Sequence, residues 1–276
     1  MDNASRCLAE CSSEADVDLV TSTPPFRIRH MRVTTLQKLL LASACLFVPV
    51  CWAQTEAHVN GDVGLALYRT PPITRTSDPS NIVLPYLYAD DGALYARVDT
   101  FGYKVAPLGM GHLELAARLS FEGYQPINAA LDKRAAPRPI GLGTFQETPY
   151  GAFFLYALRD TTSGGNLLDL SYAAELDLGV VHVYPQAGVE RRSAKYVQHL
   201  YGIDAVEATR SGLTAYSPGS SVTPNAAIAV EYRFENNLKL TYQVRKKWLD
   251  KSISDSPLVD VKTQTTSFLA LTRTFD

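Results

Sequence analysis

Asn225-Ala226-Ala227-Ile228-Ala229-Val230-Glu231-Tyr232-Arg233-Phe234 is the stretch that decides the fold. In an extended chain Ile228, Val230, Tyr232 and Phe234 fall on one side, and Ala227, Ala229, Glu231 and Arg233 on the other. Glu235-Asn236-Asn237 makes a tight turn, after which Leu238, Leu240, Tyr242 and Val244 alternate with Lys239, Thr241, Gln243 and Arg245. The pair reads as a β-hairpin with one oily and one charged face.

The same period of two recurs upstream. Leu113, Leu115, Ala117, Leu119 and Phe121 interleave with Glu114, Arg118, Ser120 and Glu122. Leu168, Leu170, Tyr172, Leu176 and Leu178 interleave with Asp169, Ser171, Glu175 and Asp177. The pattern predicts about ten strands, near 58–68, 82–90, 93–105, 112–124, 148–159, 167–178, 180–197, 225–234, 237–249 and 261–275. Several are longer than the usual five or six residues and suit a tilted membrane crossing. A soluble β-sandwich also has one oily and one polar face. Three features favour an antiparallel up-and-down transmembrane β-barrel of ten strands, eight or twelve being the alternatives. Charges of both signs share the polar faces. Tyr150, Tyr156, Tyr172, Tyr232 and Trp248 sit near strand ends or on oily faces, as interfacial girdles do. The chain also finishes on a strand.

Loop lengths then set the sides. With the start of the barrel in the periplasm, the outer loops are 69–81, 106–111, 160–166, 198–224 and 250–260, and the inner turns 91–92, 179 and 235–236. Gln125 to Glu147, with Pro126, Pro137, Pro139, Lys133, Arg134 and Arg138, is expected as a long periplasmic segment.

The front of the chain is of a different kind. All four cysteines, Cys7, Cys11, Cys45 and Cys51, precede residue 54. An apolar run from Leu39 to Ala53 follows Arg32 and Lys38, the layout of a secretory signal peptide. Residues 1–30 are read as an upstream extension, 31–53 as the signal and 54–276 as the barrel. A thiol-free exported chain cannot mispair in an oxidising compartment. Residues 54–276 carry 21 Lys and Arg against 23 Asp and Glu, a near-neutral balance that argues against nucleic acid as a partner, which would need a clustered basic face.

Little of the sequence speaks for catalysis or cofactors. His58, His112, His182 and His199 lack metal-ligand spacing, so no metal and no cofactor is expected. A barrel-embedded lipid hydrolase would draw on Ser171 or Ser193 with His182 or His199, without a recognisable triad spacing. Asp90-Asp91-Gly92 is explained by the turn it makes. Glu190-Arg191-Arg192 and Arg245-Lys246-Lys247 read as rim charges, with lipopolysaccharide phosphates as their possible ligands.

Two stretches go beyond pattern: His199-Leu200-Tyr201-Gly202-Ile203-Asp204, running on through Glu207-Ala208 to Ser211-Gly212-Leu213-Thr214-Ala215-Tyr216-Ser217-Pro218-Gly219, and Asp255-Ser256-Pro257-Leu258-Val259. Together they resemble the MipA/OmpV family of MltA-interacting proteins, most strongly over residues 196–276. The resemblance implies a β-barrel in the Gram-negative outer membrane, in contact with its lipid and lipopolysaccharide. For some members it implies a scaffold joining a murein hydrolase to a murein synthase, and for others an adhesin. It implies no catalytic residue. The expected function is therefore a structural scaffold of the envelope, reaching murein enzymes through 125–147. A narrow solute channel and an adhesin are the alternatives, with the barrel hydrolase behind them.

Overall fold

The alternation closes into a ring. The computed structural model describes residues 59–76, 78 and 80–275. The upstream extension over 1–30, the signal over 31–53 and His58 lie outside the described residues. The first half of the sheet comprises β1 (Asn60–Arg69), β2 (Asn81–Asp90), β3 (Leu94–Arg97), β4 (Thr100–Leu108), β5 (Gly111–Arg118), β6 (Pro139–Thr148) and β7 (Gly151–Asp160). The second comprises β8 (Asn166–Ala173), β9 (Leu176–Leu178), β10 (Val181–Arg192), β11 (Ser221–Arg233), β12 (Leu238–Trp248) and β13 (Thr263–Phe275). Every pairing is antiparallel, and β13 pairs with β1, as in Leu269↔Leu67, so the sheet has no free end. Twelve strands form the ring. β9 prolongs β8 along β10 after a break opposite Pro185, which has no N–H to give; its carbonyl accepts from Ala174 instead.

The barrel is inside-out relative to a soluble protein. Val63, Leu65 and Leu67 of β1, Leu168 and Leu170 of β8, Ile228 and Val230 of β11, and Leu269 and Leu271 of β13 all point outward and exposed. Between them, charged and small residues point inward: Glu114, His182, Glu190, Ala66 and Ala270 are buried. A sandwich would bury the leucines. An apolar band on the outside is the surface of a membrane barrel.

The strand count expected from the sequence, ten, is corrected to twelve in the ring. Two reversals account for it. Residues 93–105 are a hairpin, β3 and β4, turning at Val98-Asp99 with Val98 at φ 61. A valine there is an outlier in a turn, and Asp99 alone is a weak turn signal. β6 was expected as part of a loop because Pro139, Gly141 and Gly143 dilute its strand pattern. Residues 194–197, expected within a strand, open helix α1 (Ala194–Tyr201), which is followed by α2 (Ala205–Ser211) and, later, α3 (Lys251–Ser254).

These corrections also move two connections. The turn at 109–110 joins the short-turn end with 91–93, 149–150, 179–180 and 234–237, not the outer end. Segment 119–138 leaves from the opposite end, together with 70–80, 161–165, 193–220 and 249–262. The expectation that 125–147 is a long periplasmic segment is therefore wrong. Its last part is strand β6, and the rest lies among the long connections. Short turns face the periplasm and long loops the outside in such barrels.

Candidate functional site

The lumen is crossed by ion pairs. From β3, Arg97 donates to both oxygens of Glu114 on β5 at 2.8 and 2.8 Å, and to the Tyr156 hydroxyl at 2.8 Å. The guanidinium also lies over the Tyr95 and Phe145 rings, at 4.0 and 4.6 Å. Glycine is required opposite. A side-chain carbon on Gly143 would meet the Tyr156 ring at 2.0 Å. Arg118 of β5 reaches Asp169 of β8 at 2.6 Å, and Arg192 of β10 reaches Glu122 at 2.7 Å. Both pairs span β6 and β7, so they run as chords across the interior. Glu190 joins Arg192 (2.8 Å) to Lys247 of β12 (2.7 Å), and Lys239 meets Asp62 of β1 at 2.9 Å. Buried charges persist only when paired in this way.

Above the chords, the long connections fill the mouth. Helix α1 places Tyr196, Val197, Leu200 and Tyr201 against Leu158, Leu167, Ile253 and Val259, an apolar plug seated on Tyr156. Segment 119–138 is laced onto it. Arg134 donates to Glu207 of α2 at 3.0 Å and to the Gly202 carbonyl at 2.8 Å, and the Tyr124 hydroxyl donates to the Leu200 carbonyl at 2.7 Å. The two stretches that carry the family resemblance meet here. The Ser256 hydroxyl donates to the Tyr201 carbonyl at 2.7 Å, Ile203 pairs with Tyr216, and the Tyr216 hydroxyl donates to the Ser252 carbonyl at 3.1 Å. That signature is a device for holding the plug. Its neighbours Leu131, Ile203 and Leu258 form a second small core. Burial pushes the Tyr124 hydroxyl of this region up to about 12.

The residues considered for hydrolysis are not brought together. His182 sits at the short-turn end of β10, with Nδ1 3.1 Å from Glu175 Oε1 and Nε2 3.9 Å from Asp177 Oδ1. Ser171 pairs with Gly188, six residues further along β10, about 20 Å away at strand spacing. At the far end, the Ser193 hydroxyl accepts the Asn166 N–H, and His199 Nε2 lies 2.8 Å from the Ala135 carbonyl. His112 lines the lumen near the short turns. No group of metal-ligating side chains occurs among the described residues. Asp90 and Asp91 bind the backbone of their own turn, and Asp90 also pairs with Lys104.

The rim-charge reading is corrected in part. Glu190, Arg192, Arg245 and Lys247 point inward, where Arg245 donates to Gln186 and the others pair as above. Arg191 and Lys246 point outward, and Lys246 lies 5.8 Å from the Trp248 ring. Alternation along each strand allowed this to be read. Consecutive basic residues of one strand cannot share a face.

The short-turn end is spare. Gln146 accepts the Met110 N–H at 2.9 Å and donates to the Leu108 carbonyl at 2.6 Å, tying the 109–110 turn to β6. Tyr150, at the tip of the neighbouring turn, is 84% exposed, and Met110 is 60% exposed. Sequence reasoning placed Tyr150 in a girdle and missed the pair, because the missing β6 hid that the two turns are neighbours.

Comparison with known proteins gives a consistent picture. The family model described as MltA-interacting protein MipA matches residues 63–275. YiaT of Escherichia coli (strain K12) is 23% identical over 225 residues, 79% of this chain and 91% of that protein. The MltA-interacting protein of the same organism is 30% identical over 132 residues, 47% of this chain and 53% of its own length. Outer membrane protein OmpV of Vibrio cholerae is 27% identical over 136 residues, 49% of this chain and 52% of that one. Among solved structures, Pseudomonas putida OprB aligns over 79% of this chain and 94% of its own, with a TM-score of 0.33 and 8% identity.

Proposed function

Taking as premise that this chain belongs to the MltA-interacting protein family and resides in the outer membrane, we propose that it is a closed, membrane-fixed binding platform for murein-processing enzymes. The lumen carries the first half of this reading. Chords such as Arg118–Asp169 and Arg192–Glu122, under the α1 plug, leave the barrel better suited to holding than to conducting. The second half draws on the name of the relative that shares 30% identity over 132 residues. Catalysis is not part of the reading: Ser171 lies about 20 Å from His182 at strand spacing, and the Ser193 hydroxyl and His199 ring are engaged by separate backbone groups, Asn166 N–H and the Ala135 carbonyl.

Murein lies on the periplasmic side, so the partner must meet the short turns rather than 125–138. Met110 and Tyr150 are exposed apolar side chains at two neighbouring turns of that face. Exposed aromatic and methionine side chains are the usual anchors of protein interfaces. The test is capture of a murein hydrolase from solubilised envelopes by the 54–276 protein. Met110→Asp with Tyr150→Asp should weaken capture at least several-fold while the barrel still assembles. Capture untouched by this pair, but lost on Arg134→Ala, would move the contact to the outer face and overturn the proposal. In this reading outward Arg191 and Lys246 meet lipopolysaccharide phosphates, charge-assisted hydrogen bonds being the strong ones.

A further inference from the structure

The ring of strands is not hydrogen-bonded along its whole height. The β3–β4 hairpin is short and ends at Val98-Asp99, part of the way up the wall. Its tip is tied on one side by the Val98 N–H to the Leu87 carbonyl, and on the other by the Leu119 N–H to the Asp99 carbonyl. Above the tip, β2 and the chain beyond β5 face each other with no backbone hydrogen bond between them among the described residues. At the tip they are three inter-strand steps apart, about 14 Å. Higher up they are brought together again. Thr76 bridges Pro126, and Asp78 accepts the Gln125 N–H at 2.8 Å. The result is a side window with a sill, two jambs and a lintel.

The window lies at the level of the apolar band. Val83 of β2 and Phe121 on the opposite jamb point outward, 60% and 62% exposed, in line with the leucines of the lipid face. An unpaired strand edge at this depth is costly unless it lines a cavity. The sequence reduces that cost at one place. Residues 81, 83, 85 and 87 turn their backbone toward the window, as the Leu87 carbonyl shows. One of them is Pro85, which has no N–H to leave unpaired. The same proline makes the edge a poor acceptor of an added strand from another protein.

Behind the window, the lumen is lined differently from the rest. Tyr68, Tyr86 and Phe268 point inward, with Phe268 5.4 Å from Tyr68 and 6.3 Å from Tyr86 between ring centres. Ile82 and Tyr88, also inward, remain 43% and 41% exposed, whereas Glu114, on β5 beyond the short hairpin, is 0% exposed. The long chords run from Arg118 and Glu122 to β8 and β10, and the Lys239–Asp62 and Lys104–Asp90 pairs lie nearer the short turns than these rings. Together these ion pairs leave a half-open aromatic recess on the β1–β2 side.

We propose that this window admits the acyl chain of a membrane lipid sideways into the barrel, where it rests on Tyr68, Tyr86 and Phe268. The test uses the 54–276 protein in phosphatidylcholine vesicles doped with a phosphatidylcholine bearing a photoreactive diazirine in one acyl chain. Adducts are mapped by mass spectrometry. Adducts should form on Tyr68, Tyr86 or Phe268 as well as on outward residues such as Leu65 and Leu271. Bridging Val83→Cys to Phe121→Cys with a bis-maleimide should then cut the inward adducts at least fivefold and leave the outward ones unchanged. These are the only thiols in that protein, and heat-modified gel migration reports that the bridged barrel is folded. Adducts confined to outward residues overturn the proposal, as do inward adducts that survive the bridge undiminished.

Discussion

Replacing Glu114 with leucine asks how dry the lumen is. Glu114 is fully buried, and the Arg97 side chain is only 10% exposed. The substitution removes two charge-assisted hydrogen bonds of 2.8 Å. It leaves the guanidinium with the Tyr156 hydroxyl and two aromatic faces. Breaking a buried pair by removing one partner costs about 3–5 kcal/mol. Cation–π contacts of about 0.5–2 kcal/mol hold the stranded charge, so a loss near 3 kcal/mol is expected. The double variant Arg97→Leu/Glu114→Leu leaves no unpaired charge and should lose less than about 1 kcal/mol. Guanidinium unfolding of the 54–276 barrel in lipid vesicles, followed by the fluorescence of Trp248, measures both. A single-variant loss below about 1 kcal/mol, the value of a solvated pair, would refute the reasoning by showing that water screens Arg97 and Glu114.

Leu269 on β13 lies between Leu67 and Tyr242 in the middle of the apolar band, so Leu269→Arg should cost about 2–4 kcal/mol in the same assay. Lumen-facing Thr266→Arg should cost less, and equal losses would count against the inside-out assignment. Asp250 caps α3 by accepting the Ser252 N–H at 2.8 Å, so Asp250→Ala should cost about 1 kcal/mol and speed amide exchange over 251–255. Burial works to raise the Asp250 carboxyl, but hydrogen bonds from the Ser252 amide and hydroxyl and the Val222 amide outweigh it and hold it below the ordinary value. The cap is therefore at full strength at neutral pH. It should weaken as the pH falls through the lowered value, an acid-side loss of protection that Asp250→Ala lacks. We also propose that the exported protein begins at Gln54, which intact-mass spectrometry of the envelope protein checks. Peptides from 2–29 in that material would contradict it.

The lipid face and the charged face were legible because period two needs no tertiary knowledge. Ile228, Leu240 and Leu168 point outward, and Glu231, Lys239 and Asp169 inward, as the alternation requires. The strand number was less legible, for local reasons. Turns favour Gly, Pro, Asn, Asp and Ser, and the β3–β4 reversal carries one of these, Asp99, beside a valine at positive φ. Conversely, β6 carries Pro139, Gly141 and Gly143, residues that read as loop, because the lumen needs Gly143 empty for Tyr156. One missed reversal moved 106–111 to the wrong end. The second restored the sides of everything after 148. Helix α1 was hidden for a different reason. Its apolar stripe buries against strand residues Leu158 and Leu167 and the single-turn helix that holds Ile253, and it follows β10 with Ser193 alone between them. The ion-pair chords were anticipated as residue types. Which partners met, such as Arg118 with Asp169, depended on the barrel closing.

Single-channel recording tests the central claim, that the barrel is closed by its own side chains, most directly. The 54–276 protein inserted in a planar phosphatidylcholine bilayer should show no stepwise conductance in 1 M salt. The triple variant Arg118→Ala/Arg192→Ala/Glu122→Ala removes both chords and should show discrete steps. Regular, voltage-independent steps from the unaltered protein would contradict the account and make the chain a pore.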